Sequence, residues 1–583
     1  MALQTYQLVF PQSVFEGCIP EPNIQHFAEA KVSEAIYEPT IWSHDFIQLL
    51  DDNFPINLED ELKELEKKVR AWNVDFENGT FSTLELLEHV DDIERLGLGY
   101  RFQSDIRRVL DIITSTYVTN VGLEENKDSL HEASLRFRIL RQHGYNVSQD
   151  FVGRFKDSHG GFIGCLQKDV KGLLSLYEAS HLAFIKESDL HDAKLFAMEH
   201  LLILKGQEND AHVLEHINKA FEVPLYQRML RIQARCYIDA YNKRQDANLL
   251  LLELATLDFN IIQAKFKTEL KEVSKWWKNI GLAHKLGFVR DRLMECFFWT
   301  VGMVFEPQYH SCRVGLTKVG TLITVIDDIY DVYGSLEELE IFTDSVKRWD
   351  INAMEHMPKY LQLGFGALYN LINEMGSNTS IPPREDITPI LVKVWGELLE
   401  AFLVEAKWTR DRYIPTLQDY LDNAWLSVSG VVILTHGYFL LNQEMKKEVV
   451  ESLERYHDLM KWSSMVFRLY NDLATSPNEV ERGETVNAIS CYMHENGVCE
   501  EVARAYIATL IDEAWMKLIK VYVVCSQELA NPFIDMAINL ARISRCTYQY
   551  GDGHGAPDTR ARDRVLSVII EPIKIREKEH KYT

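Results

Sequence analysis

The sequence predicts an all-α protein built from two helical domains. From about Trp42 onward, nearly every segment carries apolar residues at the spacing of a helix face, as at Leu62, Leu65, Val69 and Trp72. No stretch shows the alternation of apolar and polar residues that marks a half-buried strand. The 583 residues include only 16 prolines and 29 glycines, and these residue types punctuate the joins between periodic segments. The chain is therefore expected to be ordered and rich in helix.

One interruption of the periodic pattern divides the chain. The polar run 243–246 separates two apolar runs, so a domain boundary is expected near residue 245. This boundary gives a loose N-terminal segment of residues 1–24, a first helical domain of residues 25–245 and a second of residues 246–583. The motifs that could carry chemistry all fall in the second domain, so the first is expected to lack an active site.

Composition excludes several classes of partner. The formal charge of −25 argues against binding to nucleic acid or to an anionic membrane. No run of about 18 uninterrupted apolar residues is present, so a membrane span is not expected. The 9 cysteines form no CxxC pair and are interpreted as reduced thiols, most of them buried. We expect a monomer.

The N-terminal residues bear on localisation. The first 35 residues contain four glutamates and a single lysine, and Arg70 is the first arginine. Organellar transit peptides are basic or at least poor in acidic residues. A cytoplasmic location is therefore expected, with a plastid as the less favoured alternative.

A DDxxD pattern at Asp327, Asp328 and Asp331 indicates a cation site. Residues four apart share a helix face, so Asp327 and Asp331 can point the same way. A solvated acidic face is the alternative, but the preceding helix is densely apolar. Carboxylates at the end of a buried helix are costly unless a cation neutralises them.

A second oxygen-rich pattern, formed by Asn471, Thr475 and Glu479, repeats this four-residue spacing twice. Two helices that face each other with these oxygens would form a cage for a hard cation such as Mg²⁺ or Mn²⁺. In so acidic a protein, such a cage would serve to hold a polyphosphate. Pro477 lies within the pattern and removes one backbone hydrogen bond, so a kink is expected before Glu479.

With both patterns in place, the chain resembles the plant class I terpene synthases over almost its full length. The stretches 137–145 and 257–260 are similar to signature sequences of that family, and Arg290 and Arg292 stand where the family has its RxR motif. The resemblance implies an active C-terminal bundle and a relict N-terminal α-barrel. It also implies that three Mg²⁺ ions bind the diphosphate of a prenyl diphosphate substrate, with these metal ligands: Asp327, Asp331, Asn471, Thr475 and Glu479.

The resemblance also assigns roles to residues around the metals. Arg290, Arg292 and Arg468 would donate charge-assisted hydrogen bonds to phosphate. Trp299 and Tyr548 would present aromatic faces to the carbocation left after ionisation. The residues 551–557 match a lid over the site, and residues 427–430 match a helix break beside the substrate. The substrate-binding set implied is Arg290, Asp327, Asp331, Arg468 and Asn471.

The product class is indicated by a missing element. Many cyclising monoterpene synthases carry a tandem arginine shortly before an early tryptophan, and this chain has Val32 and Ser33 at that distance from Trp42. In this respect it resembles the subfamily that makes acyclic alcohols. We therefore expect linalool from geranyl diphosphate, nerolidol from farnesyl diphosphate, or both.

The sequence motifs bear on several other functions. A cyclising monoterpene or sesquiterpene synthase stays open as the alternative. A chain-elongating prenyltransferase would carry a second DDxxD motif, and a class II cyclase would need a DxDD motif that residues 89–92 do not supply. A catalytically silent helical scaffold would have no reason to keep a ligand at every expected position.

Overall fold

The structure, a computed structural model, describes residues 38–53, 56–78, 81–120, 128–207, 210–377, 386–441, 447–482, 486–525, 529 and 531–575. Within these residues every regular element is a helix, and one isolated bridge joins Lys156 to Phe162. The predicted all-α fold with two helical domains is confirmed. The expected loose segment of residues 1–24 lies outside the described residues.

The described residues of the first half form nine α-helices. They are α1 (His44–Gln48), α2 (Ile56–Asn78), α3 (Thr83–Arg95), α4 (Gln103–Asn120), α5 (Leu130–Gln142), α6 (Val170–Ser180), α7 (Ser188–Gln207), α8 (Ala211–Glu222) and α9 (Leu230–Tyr241).

The second half begins with a long helix and holds the remaining described helices. They are α10 (Leu249–Ile280), α11 (Leu282–Lys285), α12 (Leu293–Met303), α13 (His310–Asp328), α14 (Leu336–Arg348), α15 (Lys359–Ser377), α16 (Thr388–Asp411), α17 (Leu417–Ser427), α18 (Gly430–Leu440), α19 (Lys447–Glu454), α20 (Asp458–Arg482), α21 (Ala488–Asn496), α22 (Glu500–Cys525), α23 (Asn531–Tyr548) and α24 (Thr559–Val565).

Short turns connect several of these helices. Two of them have the wide geometry of a π-helix, at Ile329–Tyr333 and Leu566–Ile570. The others are 3₁₀ turns at Gln149–Phe155, Gly164–Lys168, Leu225–Gln227, Pro307–Tyr309 and Ile351–His356.

Local sequence explains where the long helix α10 begins and ends. The side chain of Asn248 accepts hydrogen bonds from the first free backbone N–H groups, as an N-cap residue does. At the other end, Gly281 adopts a left-handed conformation with a φ of 69°, which glycine tolerates without a steric penalty. The predicted boundary near residue 245 falls in the connection between α9 and α10.

The apolar core consists of two clusters. The smaller one is formed by α2 to α5, α9 and the first part of α10, together with Ile573 near the C-terminus. The larger one fills the second half and extends into α5 to α8. Within the second half, α13 packs against α10, α12, α15 and α18, and α20 packs against α17, α18, α22 and α23. The two predicted metal motifs therefore lie on central helices.

The segment before α2 packs on the second half of the chain. The Nδ1 atom of His44 lies 2.8 Å from the Oγ atom of Ser274, and the side chain of Gln48 donates to the carbonyl of Lys271 at 3.0 Å. Both partners belong to α10.

In the described part of the chain, no helix is sufficiently long and apolar to cross a membrane.

Candidate active site

A cavity of about 450 Å³ lies between α13 and α20 in the second half of the chain. Its lining brings together most of the residues that the sequence predicted. Those that line it are Arg290, Trp299, Asp327, Asp331, Arg468, Asn471, Thr475 and Tyr548.

The first metal motif forms one wall of the cavity. Asp327 is half-buried at the end of α13, and Asp331 is exposed in the π-helical turn that follows. Asp328, between them, is fully buried. The Nε atom of Arg290 lies 2.8 Å from Oδ1 of Asp328, and the backbone N–H of Arg290 donates to Oδ2 at 2.7 Å. Arg290 also pairs with Asp327.

The second metal motif forms the facing wall. Asn471 and Thr475 line the cavity one turn apart on α20, and the Thr475 hydroxyl donates to the Asn471 carbonyl at 2.9 Å. Helix α20 continues through Pro477 to Arg482, so the proline does not end it. Glu479 lies on this helix, but its side chain is outside the described residues.

Asp472, the second residue of this motif, is buried and anchors the wall. Its carboxylate accepts a hydrogen bond from the Tyr420 hydroxyl at 2.9 Å and another from the backbone N–H of Ala488, also at 2.9 Å. Nη1 of Arg468 lies 3.3 Å from its Oδ1 atom. Each motif thus contains one fully buried carboxylate that an arginine neutralises, next to side chains that face the cavity. The sequence prediction named neither Asp328 nor Asp472 as a ligand, and it did not anticipate that each would be buried against an arginine.

Arg468 links the second motif to the helix in front of it. Its guanidinium donates to Oδ1 of Asn471 at 3.1 Å, to Oγ of Ser427 at 2.8 Å and to the carbonyl of Ala424 at 3.1 Å. The Ser427 hydroxyl in turn donates to Glu405 at 2.6 Å, and burial raises the pKa of that carboxyl. Glu405 lines the cavity and was not predicted from the sequence.

Arg292 is absent from the described residues that line the cavity. Its side chain is buried, and Nη2 donates to the carbonyl of Gly555 at 2.9 Å and to that of Glu38 at 3.1 Å. The structure therefore does not bring Arg292 together with the other predicted phosphate-binding residues, although Arg290 stands only two residues earlier.

Three aromatic side chains that contact one another form an apolar part of the cavity. The ring centroids of Trp299 and Phe467 are 4.8 Å apart, and those of Trp299 and Tyr548 are 6.0 Å apart. Trp299 and Tyr548 were predicted, whereas Phe467 was not. Phe467 lies four residues before Asn471 on α20 and so on the same helix face. This spacing could have identified it from the sequence.

The loop of residues 551–557 lies against this aromatic group. Asp552 and His554 line the cavity, and Nε2 of His554 is 3.2 Å from the Thr324 hydroxyl. Burial lowers the pKa of His554 to about 4, so its ring is neutral near pH 7. Asp552 accepts hydrogen bonds from the backbone N–H groups of His554 and Gly555, which fixes the turn of the loop.

The predicted helix break at residues 427–430 is confirmed. Helix α17 ends at Ser427 and α18 begins at Gly430, with Ser429 in a left-handed conformation at a φ of 69°. A Cβ atom at position 430 would lie 2.3 Å from the Ser464 hydroxyl oxygen, so glycine lets the two helices approach closely.

The donors that face the cavity suit a hard divalent cation. Carboxylate, amide and hydroxyl oxygens from Asp327, Asp331, Asn471 and Thr475 line one space, and these are the ligand types that Mg²⁺ accepts. In the described part of the chain, no three His, Cys, Asp or Glu side chains converge on one point. The oxygens are instead divided between two facing walls.

Two family models match the chain. Residues 41–221 match the terpene synthase N-terminal domain, and residues 278–517 match the metal binding domain of the terpene synthase family.

Similar proteins extend this match over nearly the whole chain. An (E)-beta-ocimene synthase of Matricaria chamomilla var. recutita is 57% identical over 98% of this chain and 99% of its own length. A tricyclene synthase of Medicago truncatula is 48% identical over 92% of each chain. A crystal structure of isoprene synthase from Populus x canescens, in complex with three Mg²⁺ ions and dimethylallyl-S-thiolodiphosphate, is 47% identical. It has a TM-score of 0.83 and covers 92% of this chain and 99% of its own.

The comparisons contradict the expected cytoplasmic location. The ocimene and tricyclene synthases are both named chloroplastic, although the acidic N-terminal residues argued against an organellar address. Acid content near the N-terminus was therefore a misleading criterion for this chain, and residues 1–37 lie outside the described residues.

The two domain models and the identity over nearly the full length agree with the geometry of the cavity. The facing oxygen donors on α13 and α20 occur within the segment matched by the metal binding domain. The chain belongs to the plant terpene synthase family: it is a lyase, and its cofactor is Mg²⁺.

Proposed function

We propose that the chain ionises geranyl diphosphate and releases an acyclic ten-carbon product. One observation carries the proposal. A single cavity has oxygen donors of Asp327 and Asp331 on one wall, Asn471 and Thr475 on the other, and a group of aromatic rings beside them. Such a site can hold a diphosphate at its polar end and a hydrocarbon chain at its apolar end.

We assign the metal-binding role to Asp327 and Asp331 on α13 and to Asn471, Thr475 and Glu479 on α20. Bound Mg²⁺ would neutralise the charge that develops on the departing diphosphate. Mn²⁺ would suit the same oxygen ligands.

The arginines at the cavity complete the diphosphate site in this proposal. Arg290 and Arg468 each present guanidinium groups to the cavity, and charge-assisted hydrogen bonds from them would hold the diphosphate next to the metals. Both are also neutralised in part by a buried carboxylate, Asp328 for Arg290 and Asp472 for Arg468. These pairs fix the two guanidinium groups before substrate arrives.

The apolar end of the cavity would protect the carbocation. The faces of Trp299, Phe467 and Tyr548 provide the negative electrostatic potential that attracts a cation. Burial raises the pKa of the Tyr548 hydroxyl, so this group stays protonated and adds no charge. The neutral His554 ring closes the cavity on the side of the 551–557 loop.

Two of the relatives support the choice of a ten-carbon substrate. Ocimene and tricyclene both have ten-carbon skeletons, and both relatives are named chloroplastic. We propose a plastid location on the same ground. Farnesyl diphosphate, the fifteen-carbon alternative, is the secondary substrate in this proposal.

The acyclic outcome is supported by two facts. The tandem arginine associated with cyclisation is missing at positions 32 and 33. The ocimene synthase, which is named for an acyclic hydrocarbon, is 57% identical, whereas the tricyclene synthase is 48% identical. Proton loss from the acyclic cation is therefore proposed as the main ending of the reaction. Capture of the cation by water is proposed as the second ending, which gives linalool, or nerolidol from farnesyl diphosphate. Thr300, Thr324 and Ser427 line the cavity, and their hydroxyl groups could hold such a water molecule by hydrogen bonds.

The domain division at residue 245, into residues 25–245 and 246–583, is retained as a proposal, as is the monomeric state. In this view the first domain supports the second without a site of its own.

Gas chromatography of products made with Mg²⁺ from geranyl and farnesyl diphosphate tests the proposal. We expect acyclic ten-carbon products, and no turnover once a chelator has removed the metal. Mainly cyclic hydrocarbons from geranyl diphosphate would refute the product class, and no diphosphate release from either substrate would refute the substrate class.

A further inference from the structure

We propose that Arg292 is a positioning residue that ties the chain segment at Glu38 to the loop 551–556, rather than a ligand of the diphosphate. The guanidinium Nη2 atom donates to two backbone carbonyls that are far apart in sequence, 2.9 Å away at Gly555 and 3.1 Å away at Glu38. Nη1 donates to the carbonyl of Asp291 at 2.9 Å. We call this arrangement the Arg292 clasp.

Burial of the arginine makes the clasp a strong constraint. Arg292 is 2% exposed, and a buried guanidinium that loses its acceptors pays a large desolvation cost. Since both distant acceptors are backbone carbonyls, the clasp depends on the path of the two segments and not on the side chains at positions 38 and 555. Displacing either segment would remove one of the two distant acceptors of the buried Nη2 group.

The neighbouring arginine shows that this geometry is specific to position 292. Arg290 pairs with Asp327 and Asp328 and lines the active-site cavity. Arg292 instead lines a separate cavity of about 270 Å³, which lies between residues 38–42 and the loop. The two arginines therefore line two different cavities.

Trp299 connects the clasp to the reaction. This residue lines both the active-site cavity and the smaller cavity behind it. The smaller cavity is bounded by Glu38 to Trp42 on one side and by Gly553 and Ala556 of the loop on the other. If the clasp opened, water would gain a path to the back of the Trp299 ring, next to the space where a carbocation would form.

A second contact holds the same loop from the cavity side. His554 lies 3.2 Å from the Thr324 hydroxyl on α13. The loop is thus fixed at two adjacent residues, by Thr324 at His554 and by Arg292 at Gly555. Only the Arg292 contact also fixes the segment at Glu38, so the two contacts can be separated by mutation.

The clasp makes a prediction that does not require turnover. Amide hydrogen exchange measured by mass spectrometry reports the opening of both segments in the free enzyme. In Arg292→Gln, we expect exchange in peptides covering residues 38–42 and 551–556 to accelerate about tenfold, as the loss of one or two hydrogen bonds would allow. In Thr324→Val, exchange should accelerate in the loop peptide alone.

A matched control is available in Arg235. This arginine also donates to two backbone carbonyls of another segment, those of Ser567 and Glu571, and it is absent from the described residues that line either cavity. Arg235→Gln should leave exchange at residues 38–42 and 551–556 unchanged. Arg292→Lys, which keeps the charge but offers one donor group, should give an intermediate rate and serves as the readout if Arg292→Gln does not fold.

Inhibition by inorganic pyrophosphate with Mg²⁺ separates positioning from phosphate binding. We expect the inhibition constant of Arg292→Lys to stay within about twofold of the parent, because the clasp does not touch the diphosphate. A tenfold weaker inhibition with unchanged exchange would overturn the proposal, as would a faster exchange spread over the whole chain.

A product assay adds the consequence for chemistry, and this part rests on the proposed function. Arg292→Lys should raise the ratio of alcohol to hydrocarbon products, since water reaches the cation more often. An unchanged product ratio together with faster exchange would support the positioning role of Arg292 but refute the link between the clasp and water exclusion. An enzyme that turns over no prenyl diphosphate would refute the proposed function and not the clasp.

Discussion

Nη1 of Arg468 lies 3.1 Å from Oδ1 of Asn471, so the amide oxygen predicted to ligate Mg²⁺ is already held by a cation. A metal ion bound at this oxygen would bring a second positive charge close to the guanidinium. The buried carboxylate of Asp472, 3.3 Å from Nη1, and Glu405 beyond Ser427 supply the negative charge that makes such crowding tolerable. Arg468 therefore orients Asn471 as well as facing the cavity.

Arg468→Lys is expected to lower kcat/KM by at least about tenfold, because an ammonium cannot reach Asn471, Ser427 and the Ala424 carbonyl at once. The Mg²⁺ concentration for half-maximal rate should rise as well, since Asn471 is no longer held. Steady-state kinetics over a Mg²⁺ series measures both quantities. A lysine variant with parental values of each would reduce Arg468 to a structural role.

Asp327→Ala and Asp331→Ala are each expected to abolish diphosphate release. Losing a carboxylate that would hold the Mg²⁺ next to the leaving group costs on the order of several kcal/mol of transition-state stabilisation. Helical circular dichroism should not change, because Asp327 is half-buried and Asp331 is exposed. Asp344→Ala removes an exposed carboxylate on α14 whose partner is Arg348, and it serves as the control with normal turnover. Near-normal turnover in both motif variants would refute the assignment of Asp327 and Asp331 as metal ligands.

Asp472→Asn is expected to destabilise the fold rather than only slow the reaction. The buried carboxylate accepts from Tyr420 and Ala488 and neutralises Arg468, and breaking a buried ion pair typically costs about 3–5 kcal/mol. Tyr420→Phe removes one donor and should cost about 1–3 kcal/mol. Denaturant unfolding of the two variants measures the difference, and equal stabilities would contradict the anchoring role of Asp472.

The sequence predicted the helices and the faces of the metal motifs because helical periodicity and four-residue spacing are local properties. It placed Asp327 and Asp331 on one wall and Asn471 and Thr475 on the other, where the structure has them. It could not tell Asp328 and Asp472 from the cavity-facing residues by their chemical type. Their burial depends on Arg290, Tyr420 and Ala488, which reach them only in the folded chain.

Contacts between distant segments were also beyond local reasoning. Arg292 belongs to an RxR pattern, and the pattern gives no sign that the carbonyls of Glu38 and Gly555 meet at its guanidinium. His554 stood in a stretch predicted to be a lid, but its neutral state follows from burial against Thr324 and Trp299. The roles of Arg292 and His554 depend on which distant segments pack against them, and a local sequence pattern does not contain that information.

Glu295 is expected to make stability depend on pH. Burial raises the pKa of this carboxyl from 4.5 to about 7, so the folded state binds the proton more tightly than the unfolded state does. The resulting stabilisation is complete below pH 4.5 and is lost as the pH rises through about 7. Glu295→Gln carries no ionisable group and should be more stable than the parent at pH 8, by at most about 3 kcal/mol. Thermal unfolding at pH 5 and pH 8 tests this, and an advantage that is larger at pH 5 would contradict it.

Trp299→Leu is expected to slow ionisation while leaving substrate binding nearly intact. The indole ring packs at a tilt against Phe467 and edge-on against Tyr548, and it lines the cavity, so its face would be next to the developing positive charge. A cation–π interaction is worth about 0.5–2 kcal/mol, which corresponds to a fall in kcat of about two- to thirtyfold. Trp299→Phe keeps an aromatic face at the same position and should retain most of the rate, although it leaves space. The comparison of the two variants isolates the ring from the loss of volume. If leucine and phenylalanine lowered kcat equally, packing rather than the aromatic face would account for the presence of Trp299.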